Sequence, residues 1–271
     1  MNDMDNIAVS VVVPSYNSGK FLQKTIRSLL AQDFNKPYEI IVVDDGSVDG
    51  STDDLENLND KVTVYRQANE GAANARNKGV KLANAPVVVF HDAGDLAHKN
   101  KISAMYNALK NNKECVASIG ISINSNYGKK KLPFWAENRI DGSYITITDP
   151  LKNLFNQYHP LTGVANVCAY KSVLMQVTSD RSFYKVANDY DMQIRLAEYG
   201  SFVAVRTITT TYRFHKSGLT STYGFQKQMC YALISALEVY HKLENKYSYK
   251  YIFQNRVEAN VPIIIVSQMC T

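Results

Sequence analysis

Two pairs of acidic residues in the first hundred positions have the right type and spacing to bind a nucleotide or a cation. Asp44 and Asp45 directly follow a run of apolar, β-branched residues, and Asp92 and Asp95 follow another such run. A carboxylate at the end of a buried strand can accept a hydrogen bond from a pyrimidine ring N–H or from a ribose hydroxyl. The second pair offers hard oxygen ligands through which a divalent cation could bridge to phosphate.

An aromatic residue in the first polar loop adds to this chemistry. The ring of Tyr16, which follows the apolar run Ala8–Val13, could stack on a base. Asp, Gly and Ser are also ordinary turn formers, so the loop after Asp44 taken alone would fit a structural turn equally well. The two loops together favour a nucleotide site made of Pro14, Ser15, Tyr16, Asn17, Asp44 and Asp45.

A basic residue, Arg76, follows in the segment NEGAANARNKG, residues 69–79. Gly71 permits close backbone approach, the alanines allow a helix to pack tightly on a sheet, and Arg76 lies one helical turn in. A guanidinium near the site suits a diphosphate, and a surface charge is the alternative. We therefore assign Arg76 and Asp92 to the phosphate side of the nucleotide.

Two residues in the second half of the chain are further candidates. Asp189 opens a predicted helix, and a carboxylate placed opposite the nucleotide would suit a general base for a hydroxyl group. The structural alternative is that Asn188 or Asp189 caps that helix. His215 follows a predicted strand, and a lone histidine of this kind is usually structural.

These residues need a scaffold, and the hydrophobic pattern predicts one. Runs of Val and Ile alternate with amphipathic segments, which is typical of an α/β fold with a mostly parallel central sheet and helices on both faces. In such sheets ligands bind beyond the carboxyl ends of the strands. Three polar loops would meet there: PSYN (14–17), DDGS (44–47) and HDAGD (91–95). The predicted strands are Ala8–Val13, Glu39–Val43, Val62–Arg66, Pro86–Phe90, Cys115–Ile123, Val164–Tyr170 and Phe202–Arg206. The predicted helices are Phe21–Leu30, Asp49–Leu58, Gly71–Asn84, Lys101–Lys110, Asp189–Tyr199 and Phe225–Leu243.

Bulk properties exclude several classes of protein. The net charge of +5 is mild, and its only tight basic run, Lys129–Lys131, is predicted to be a solvated loop or a contact with an anionic substrate or membrane surface. This pattern does not indicate nucleic-acid binding. The four cysteines form no CxxC pair, which favours a reducing compartment. We see no signal peptide and no membrane-spanning run, because the apolar segment 261–266 is too short.

The polar segments around these candidate residues together resemble the large family 2 of inverting glycosyltransferases with the GT-A fold. VSVVVPSYNSGKFLQKTIRSLLAQ, YEIIVVDDGSVDGS and NEGAANARNKGVKLANAPVVVFHDAGD occur in the order and spacing of that family. The resemblance covers about residues 8–220. It implies a Rossmann-like GT-A domain over residues 1–220, with a nucleotide-binding half (1–100) and an acceptor half (101–220), followed by a C-terminal helical extension (221–271).

The resemblance also implies a role for individual residues. Pro14, Tyr16 and Asp44 would hold the nucleoside of a UDP-sugar, and Arg76 would face its diphosphate. The HDAGD segment would occupy the metal-binding position, where Asp92, Asp95 and His215 are the expected ligands of Mn²⁺ or Mg²⁺. Asp189 matches the aspartate of the family's Glu-Asp pair, which is the expected base for transfer with inversion.

Two departures from the family pattern affect these expectations. Gly94 stands where the family has an acidic residue, so the cation would be held by Asp95 and His215, held weakly, or not needed. Asn188 replaces the glutamate before the base. The processive members' QxxRW segment is absent, which favours single additions. A non-catalytic binding or scaffold subunit is the alternative function.

The resemblance leaves the partners open beyond their class. We expect a nucleotide-sugar donor and a glycan, a lipid-linked saccharide or a glycoprotein as acceptor, with no nucleic acid. The acceptor half offers Trp135, Tyr144, Tyr158 and His159 as candidate contacts. A bacterial, cytoplasmic enzyme is expected, with peripheral contact at the inner face of the membrane and a homo-oligomer left open.

Overall fold

The computed structural model describes residues 7–124, 132–137, 139–157, 160–178, 186–213 and 219–243. Nine strands form one sheet in this part of the chain. The strands are β1 (Val9–Ser15), β2 (Tyr38–Asp44), β3 (Val62–Arg66), β4 (Val87–Phe90), β5 (Leu96–Ala97), β6 (Cys115–Asn124), β7 (Tyr144–Ile147), β8 (Val167–Tyr170) and β9 (Ser201–Tyr212). The helices are α1 (Lys20–Leu30), α2 (Ala72–Leu82), α3 (Lys101–Asn111), α4 (Pro150–Gln157), α5 (Lys171–Val177), α6 (Asn188–Leu196) and α7 (Leu219–Lys242).

The sheet is mostly parallel, as the sequence predicts. Its order is β3-β2-β1-β4-β8-β6-β9-β5, and β7 pairs with β9. Strands β3, β2, β1 and β4 are parallel neighbours. Strand β8 is antiparallel to both β4 and β6, so β6 and its parallel neighbour β9 point the same way as β1. The PSYN, DDGS and HDAGD loops, which follow β1, β2 and β4, therefore lie at the carboxyl edge of the sheet.

Both faces of the central strands are buried, which explains their continuous apolar runs. Alternate residues of β1 belong to different cores: Val11 and Val13 face one side, and Val12 faces the other. Helices α1 and α3 cover the first side, and α2 and α4–α7 cover the second. The prediction of helices on both faces is confirmed.

Helix α2 packs unusually closely on β1. A Cβ atom at Gly79 would overlap the side chain of Val12, so the small residue is needed for this contact. Ala75, one turn earlier, is fully buried against the same side of the sheet. This close packing fixes the position of Arg76, which lies between the two small residues.

One local prediction in the first half of the chain is wrong. The segment Asp49–Leu58 is not a helix; only Glu56–Leu58 forms a 3₁₀ turn. A local hydrogen bond between a side chain and the backbone competes with the helix here. The N–H of Ser51 donates to Asp49 Oδ1 (3.1 Å). The cap position of α1 is Gly19, and no side chain caps this helix.

Helix α7 packs on its own domain. Ala232, Leu233, Ala236 and Val239 are buried in the core that α6 shares. The predicted helix Phe225–Leu243 coincides with α7 as far as Lys242, and the side chains of Phe225 and Met229 are outside the described residues. None of the described helices is long and apolar enough to cross a membrane.

Candidate active site at the carboxyl edge of the sheet

The loops after β1 and β2 are joined into one surface by Asn17. Its side-chain Oδ1 accepts the N–H of Val48 (2.9 Å), and its own N–H donates to Ser47 Oγ (3.0 Å). Asn17 adopts a left-handed conformation (φ 47°), which turns the chain sharply at this point. The sequence did not predict this bridging role for Asn17.

Asp44 organises the turn that follows β2. Its Oδ1 accepts the N–H of Ser47 (2.8 Å), and its Oδ2 accepts the hydroxyl of Thr52 (2.7 Å). The residue is 2% exposed. Burial by itself would raise the pKa of the Asp44 carboxyl, but these hydrogen bonds and the charge of Arg66 outweigh it and lower the pKa. Asp44 is thus an ionised carboxylate with internal partners on both oxygens.

Asp45 ties the same loop to the start of α2. Its carboxylate accepts hydrogen bonds from the N–H groups of Glu70 (2.9 Å) and Gly71 (2.8 Å) and from Gln67 Nε2 (2.8 Å). Gly71 has φ 92°, a conformation that favours glycine. Asp45 therefore fixes the entry of the helix that carries Arg76.

The PSYN residues differ in exposure. Pro14 and Ser15 lie in the ladder of β1, and Ser15 Oγ donates to Ser18 Oγ (3.0 Å). Tyr16 is the exposed member, with 53% of its surface accessible. An aromatic ring exposed beside the Asp44 loop suits stacking on a planar base.

Arg76 and Asp92 form an ion pair across the site. Arg76 Nη2 and Asp92 Oδ1 are 2.8 Å apart, and their side chains are 8% and 37% exposed. The pair links α2 to the loop after β4, as expected if both residues serve the same ligand. Asp92 keeps an accessible surface for further partners.

Asp95 belongs to the same loop as Asp92 and faces the interior of the protein. It is 5% exposed and accepts the N–H of Arg213 (3.1 Å). Burial raises the pKa of Asp95 to about 7, and the negative charge of Asp92 adds to the shift. Asp95 is therefore less available to a ligand than Asp92.

Gly94 shows why this loop has one carboxylate fewer. Its φ of 103° is a conformation that residues with a side chain rarely adopt. Its N–H donates to Thr25 Oγ1 (3.0 Å), while a Cβ atom would meet open space. The backbone, not lack of room, disfavours an acidic residue here.

The expected metal ligands are brought together only in part. His215 lies outside the described residues. Among the residues that are described, no cluster of three or more His, Cys, Asp or Glu side chains could hold a metal ion. Of the two expected carboxylate ligands, Asp92 is partly exposed and Asp95 is nearly buried.

A buried lysine lies near Asp95 and Asp92, and the sequence did not predict it. Lys101 is fully buried, and its Nζ donates to the carbonyl of Ala165 and to Thr210 Oγ1 (3.0 Å). Burial lowers the pKa of Lys101 to about 7, although nearby Asp95 and Asp92 act in the opposite direction. A lysine opening an amphipathic helix carries no sequence signal of such burial.

Asp189 lies at the same edge as the other candidates. Strand β9 starts beside Cys115, at the amino edge of β1, β2 and β4. Helix α6 precedes β9 and runs toward that edge. The first residues of α6 therefore lie at the carboxyl edge. The Oδ1 of Asp189 accepts the N–H of Tyr190 (2.9 Å). Neither Asn188 nor Asp189 caps α6; the cap position is Ala187, without a side-chain hydrogen bond.

Helix α6 is held firmly from two sides. Gln193 bonds to the backbone of Leu161 and Thr162, and its Oε1 accepts the Leu161 N–H at 2.8 Å. On the other side Arg195 pairs with Asp191 (3.0 Å) and with Glu238 of α7. A carboxylate at the start of α6 is thereby held in a fixed place.

The proposed acceptor contacts fare differently. Trp135 is 3% exposed and its Nε1 donates to the carbonyl of Leu161 (3.0 Å), so it is a core residue and not a contact for an acceptor. Tyr144 on β7 is 40% exposed. Tyr158, His159 and Lys129–Lys131 lie outside the described residues.

The family is shown by comparison with known sequences. The sequence model described as Glycosyl transferase family 2 matches residues 10–174, more than half of the chain. The chain belongs to this family. Every candidate discussed above up to Asp95 falls within the matched region, and α6 lies beyond it.

Two curated relatives match more than a third of the chain. Glycosyltransferase GlyG of Streptococcus pneumoniae is 38% identical over 102 residues, which cover 36% of this chain and 34% of that protein. The poly(ribitol-phosphate) beta-N-acetylglucosaminyltransferase TarP of Staphylococcus aureus is 36% identical over 109 residues, 38% of this chain and 33% of that protein. The matched part thus spans about a third of these relatives.

A solved structure extends the likeness to nearly the whole chain. Residues 1–349 of S. aureus TarS, crystallised with UDP-GlcNAc, superpose with a TM-score of 0.71 over 95% of this chain and 77% of that one. The identity is 17%, so the match shows the shared fold. The predicted GT-A architecture is confirmed.

Proposed function

We propose that this protein transfers a sugar from a nucleotide-sugar donor, a UDP-sugar, to an acceptor hydroxyl with inversion at the anomeric carbon. The observation that carries the proposal is the convergence of four features on one sheet edge. These are the exposed ring of Tyr16, the Asp44 loop, the Arg76–Asp92 pair and the start of α6 with Asp189. TarS, which shares the fold, was crystallised with UDP-GlcNAc.

In the proposed reaction Asp189 is the general base. Its carboxylate takes the proton of the acceptor hydroxyl while the oxygen attacks the anomeric carbon. The bond from that carbon to the diphosphate oxygen breaks, and UDP leaves with the electron pair. Arg76 stabilises the charge that develops on the diphosphate.

A divalent cation, Mn²⁺ or Mg²⁺, is part of the proposal. Asp92 is the described carboxylate best placed to hold it, because Asp95 is buried and bonded to the Arg213 N–H. When bound, the cation would neutralise charge on the leaving diphosphate. Chelation with EDTA should then lower the transfer rate and Mn²⁺ should restore it, whereas an unchanged rate with EDTA would remove the cation from the proposal.

The donor is tested by binding. Nucleotide-sugars with different bases and sugars are screened by thermal shift, with and without Mn²⁺. A true ligand raises the melting temperature in proportion to the logarithm of its concentration over Kd. We expect UDP-sugars to stabilise the protein and GDP-sugars not to do so.

The base is tested by substitution. Asp189→Asn should lower the rate of UDP release by about 10²–10⁴-fold while UDP still binds. Asp60→Asn is a matched control, since Asp60 is exposed and precedes β3 at the opposite edge of the sheet. Full activity of Asp189→Asn would refute the mechanism. Absence of UDP release by the wild type with every donor and acceptor offered would favour a non-catalytic binding role.

A further inference from the structure

The two carboxylates after β4 are the first and last residues of one tight turn. The N–H of Asp95 donates to the carbonyl of Asp92 (3.2 Å), and Gly94, the third residue, has φ 103°. A positive φ at the third position alone is typical of a type II turn. Asp92 reaches from this turn to Arg76 of α2, at 2.8 Å. The internal bond fixes the shape of the turn, but its position depends on contacts from outside.

Thr25 of α1 makes two such contacts. Its hydroxyl donates to the carbonyl of Asp95 (2.7 Å) and accepts the N–H of Gly94 (3.0 Å), and the residue is fully buried. A hydroxyl can donate and accept through one atom, whereas the methyl of a valine with the same shape can do neither. Helices α1 and α2 pack on opposite faces of the sheet. The turn is therefore held from both sides, by Thr25 on α1 and by Arg76 on α2.

Two further side chains on α1 bind the chain that follows the turn. Ser28 Oγ accepts the N–H of Ala97 (3.0 Å), and Gln32 Oε1 accepts the N–H of Ile102 (3.0 Å). Because Ser28 and Gln32 follow Thr25 at intervals of three and four residues, all three lie on one side of the helix. Their bonds should keep α1 in place without the Thr25 hydroxyl, so that its loss releases only the turn.

We propose that Thr25 is a positioning residue for sugar transfer, because it holds the Asp92–Asp95 turn where Asp92 meets Arg76. This inference rests on the proposed function, in which Arg76 stabilises the charge that develops on the leaving diphosphate. A displaced turn should therefore slow the chemical step. The Thr25 hydroxyl bonds to this turn and not to the nucleoside loops after β1 and β2, so donor binding should change little.

The first experiment measures UDP release from UDP-glucose, UDP-galactose and UDP-N-acetylglucosamine. For the donor that the wild type uses best, Thr25→Val should lower kcat about 10–100-fold and leave KM within about three-fold of the wild type. Thr25→Ser keeps the hydroxyl and should keep kcat within about two-fold of the wild type. A residue that only stabilised the fold would not separate kcat from KM in this way.

Ser118→Ala is the matched control. Ser118 on β6 is also fully buried, and its hydroxyl donates to the carbonyl of Met105 on α3 (2.8 Å). Losing this bond should lower the melting temperature, as Thr25→Val does, but should leave kcat unchanged. An equal loss of kcat in Ser118→Ala would show that lowered stability is the cause, and the inference would be wrong.

Hydrogen exchange with mass spectrometry tests the contact without any donor. The peptide that spans residues 91–97 contains the N–H of Gly94, which the Thr25 hydroxyl protects. In Thr25→Val this peptide should take up about one more deuteron at short times than in the wild type, and Thr25→Ser should match the wild type.

Unchanged exchange in Thr25→Val would show that Thr25 does not hold the turn, and unchanged kcat would show that the position of the turn does not matter for transfer. Either result overturns the inference. A wild type that releases UDP from no donor overturns the proposed function itself, whatever the exchange of the turn shows.

Discussion

Ala187 fixes the start of the helix that carries Asn188 and Asp189. It adopts φ 60° and ψ 23°, a left-handed conformation that costs an L-residue about 1–2 kcal/mol. Strain of this kind is often found at functional sites. Here it lies at the N-cap position of α6, directly before the two adjacent polar residues Asn188 and Asp189.

Replacing Ala187 by glycine should stabilise the protein. Ala187→Gly removes the steric cost, and the greater freedom of glycine in the unfolded chain offsets part of the gain. We expect the free energy of unfolding in urea to rise by about 0.5–1 kcal/mol. Ala104→Gly in the middle of α3 is the control and should lower it by roughly 1 kcal/mol. Equal losses in both variants would contradict the strain at Ala187.

Lys101 should make stability depend on pH in the alkaline range. Burial lowers its pKa from 10.5 to about 7 in the folded protein, so between these values the unfolded chain holds a proton that the folded protein lacks. Stability from this group is therefore complete above pH 10.5 and is lost as pH falls toward 7. The slope is at most about 1.4 kcal/mol per pH unit.

The measurement is urea unfolding at pH 7, 8 and 9. The difference between wild type and Lys101→Met should change in favour of the wild type as pH rises. Lys99→Met, at an exposed position two residues earlier, should run parallel to the wild type. If the curves for Lys101→Met and wild type are also parallel, Lys101 keeps an ordinary pKa.

The sequence identifies candidate site residues in the loops, but it does not give their contacts. The sequence identified Asp44 and Asp95 as site candidates because each follows an apolar run. It could not show that both are nearly buried, with 2% and 5% exposure. The burial of Lys101 depends on contacts with residues far away in the chain, such as Ala165, which local patterns do not record.

At the scale of elements, α2 connects the packing of the sheet to the candidate site. Gly79 contacts Val12, and Arg76 lies one turn closer to the edge where the loops meet. Any displacement of the helix from β1 must move Arg76 relative to Asp92. The geometry of the Arg76–Asp92 pair thus depends on Gly79, a residue outside the candidate site.

Gly79→Ala tests this dependence. The added methyl overlaps Val12 and forces the helix outward, which should lower the free energy of unfolding by about 1–3 kcal/mol. The same shift should weaken UDP binding, measured by calorimetry. Gly163→Ala is the control, since a Cβ atom there meets nothing within 4 Å and its φ is −66°. A stable Gly79→Ala protein with normal UDP affinity would refute the coupling.

Elements with a strong period were predictable, and those shaped by long-range pairing were not. The buried strands β1–β4 and the helices α1–α3 follow from apolar runs and helical spacing. Strand β9 extends over Ser201–Tyr212, although only Phe202–Arg206 reads as a strand. Its second half, rich in threonine, is fixed by pairing with β6 and β5. The helices α4 and α5 were missed because each is only two turns long.

At the scale of the whole molecule, the two cores share one sheet. Residues of β1 and β2 alternate between them, so neither core can open without breaking the same strands. Cys168 on β8 and Cys115 on β6 are buried in one of these cores. Such an arrangement favours cooperative unfolding of the sheet.

The two buried thiols should therefore report global unfolding. Burial raises the pKa of Cys115 to about 11 and that of Cys168 to about 12, so at pH 8 the folded protein offers almost no thiolate to iodoacetamide. Labelling of Cys168, followed by mass spectrometry, should require opening of the sheet. The rate of Cys168 labelling should fall as UDP is added, by the factor one plus the UDP concentration over its Kd, because UDP binds only the folded state.

Cys230 on α7 is the control. It is partly exposed and should react faster, at a rate that UDP leaves unchanged. If UDP protected Cys230 as strongly as Cys168, α7 would unfold together with the sheet; if it protected neither, UDP would not be bound by this fold.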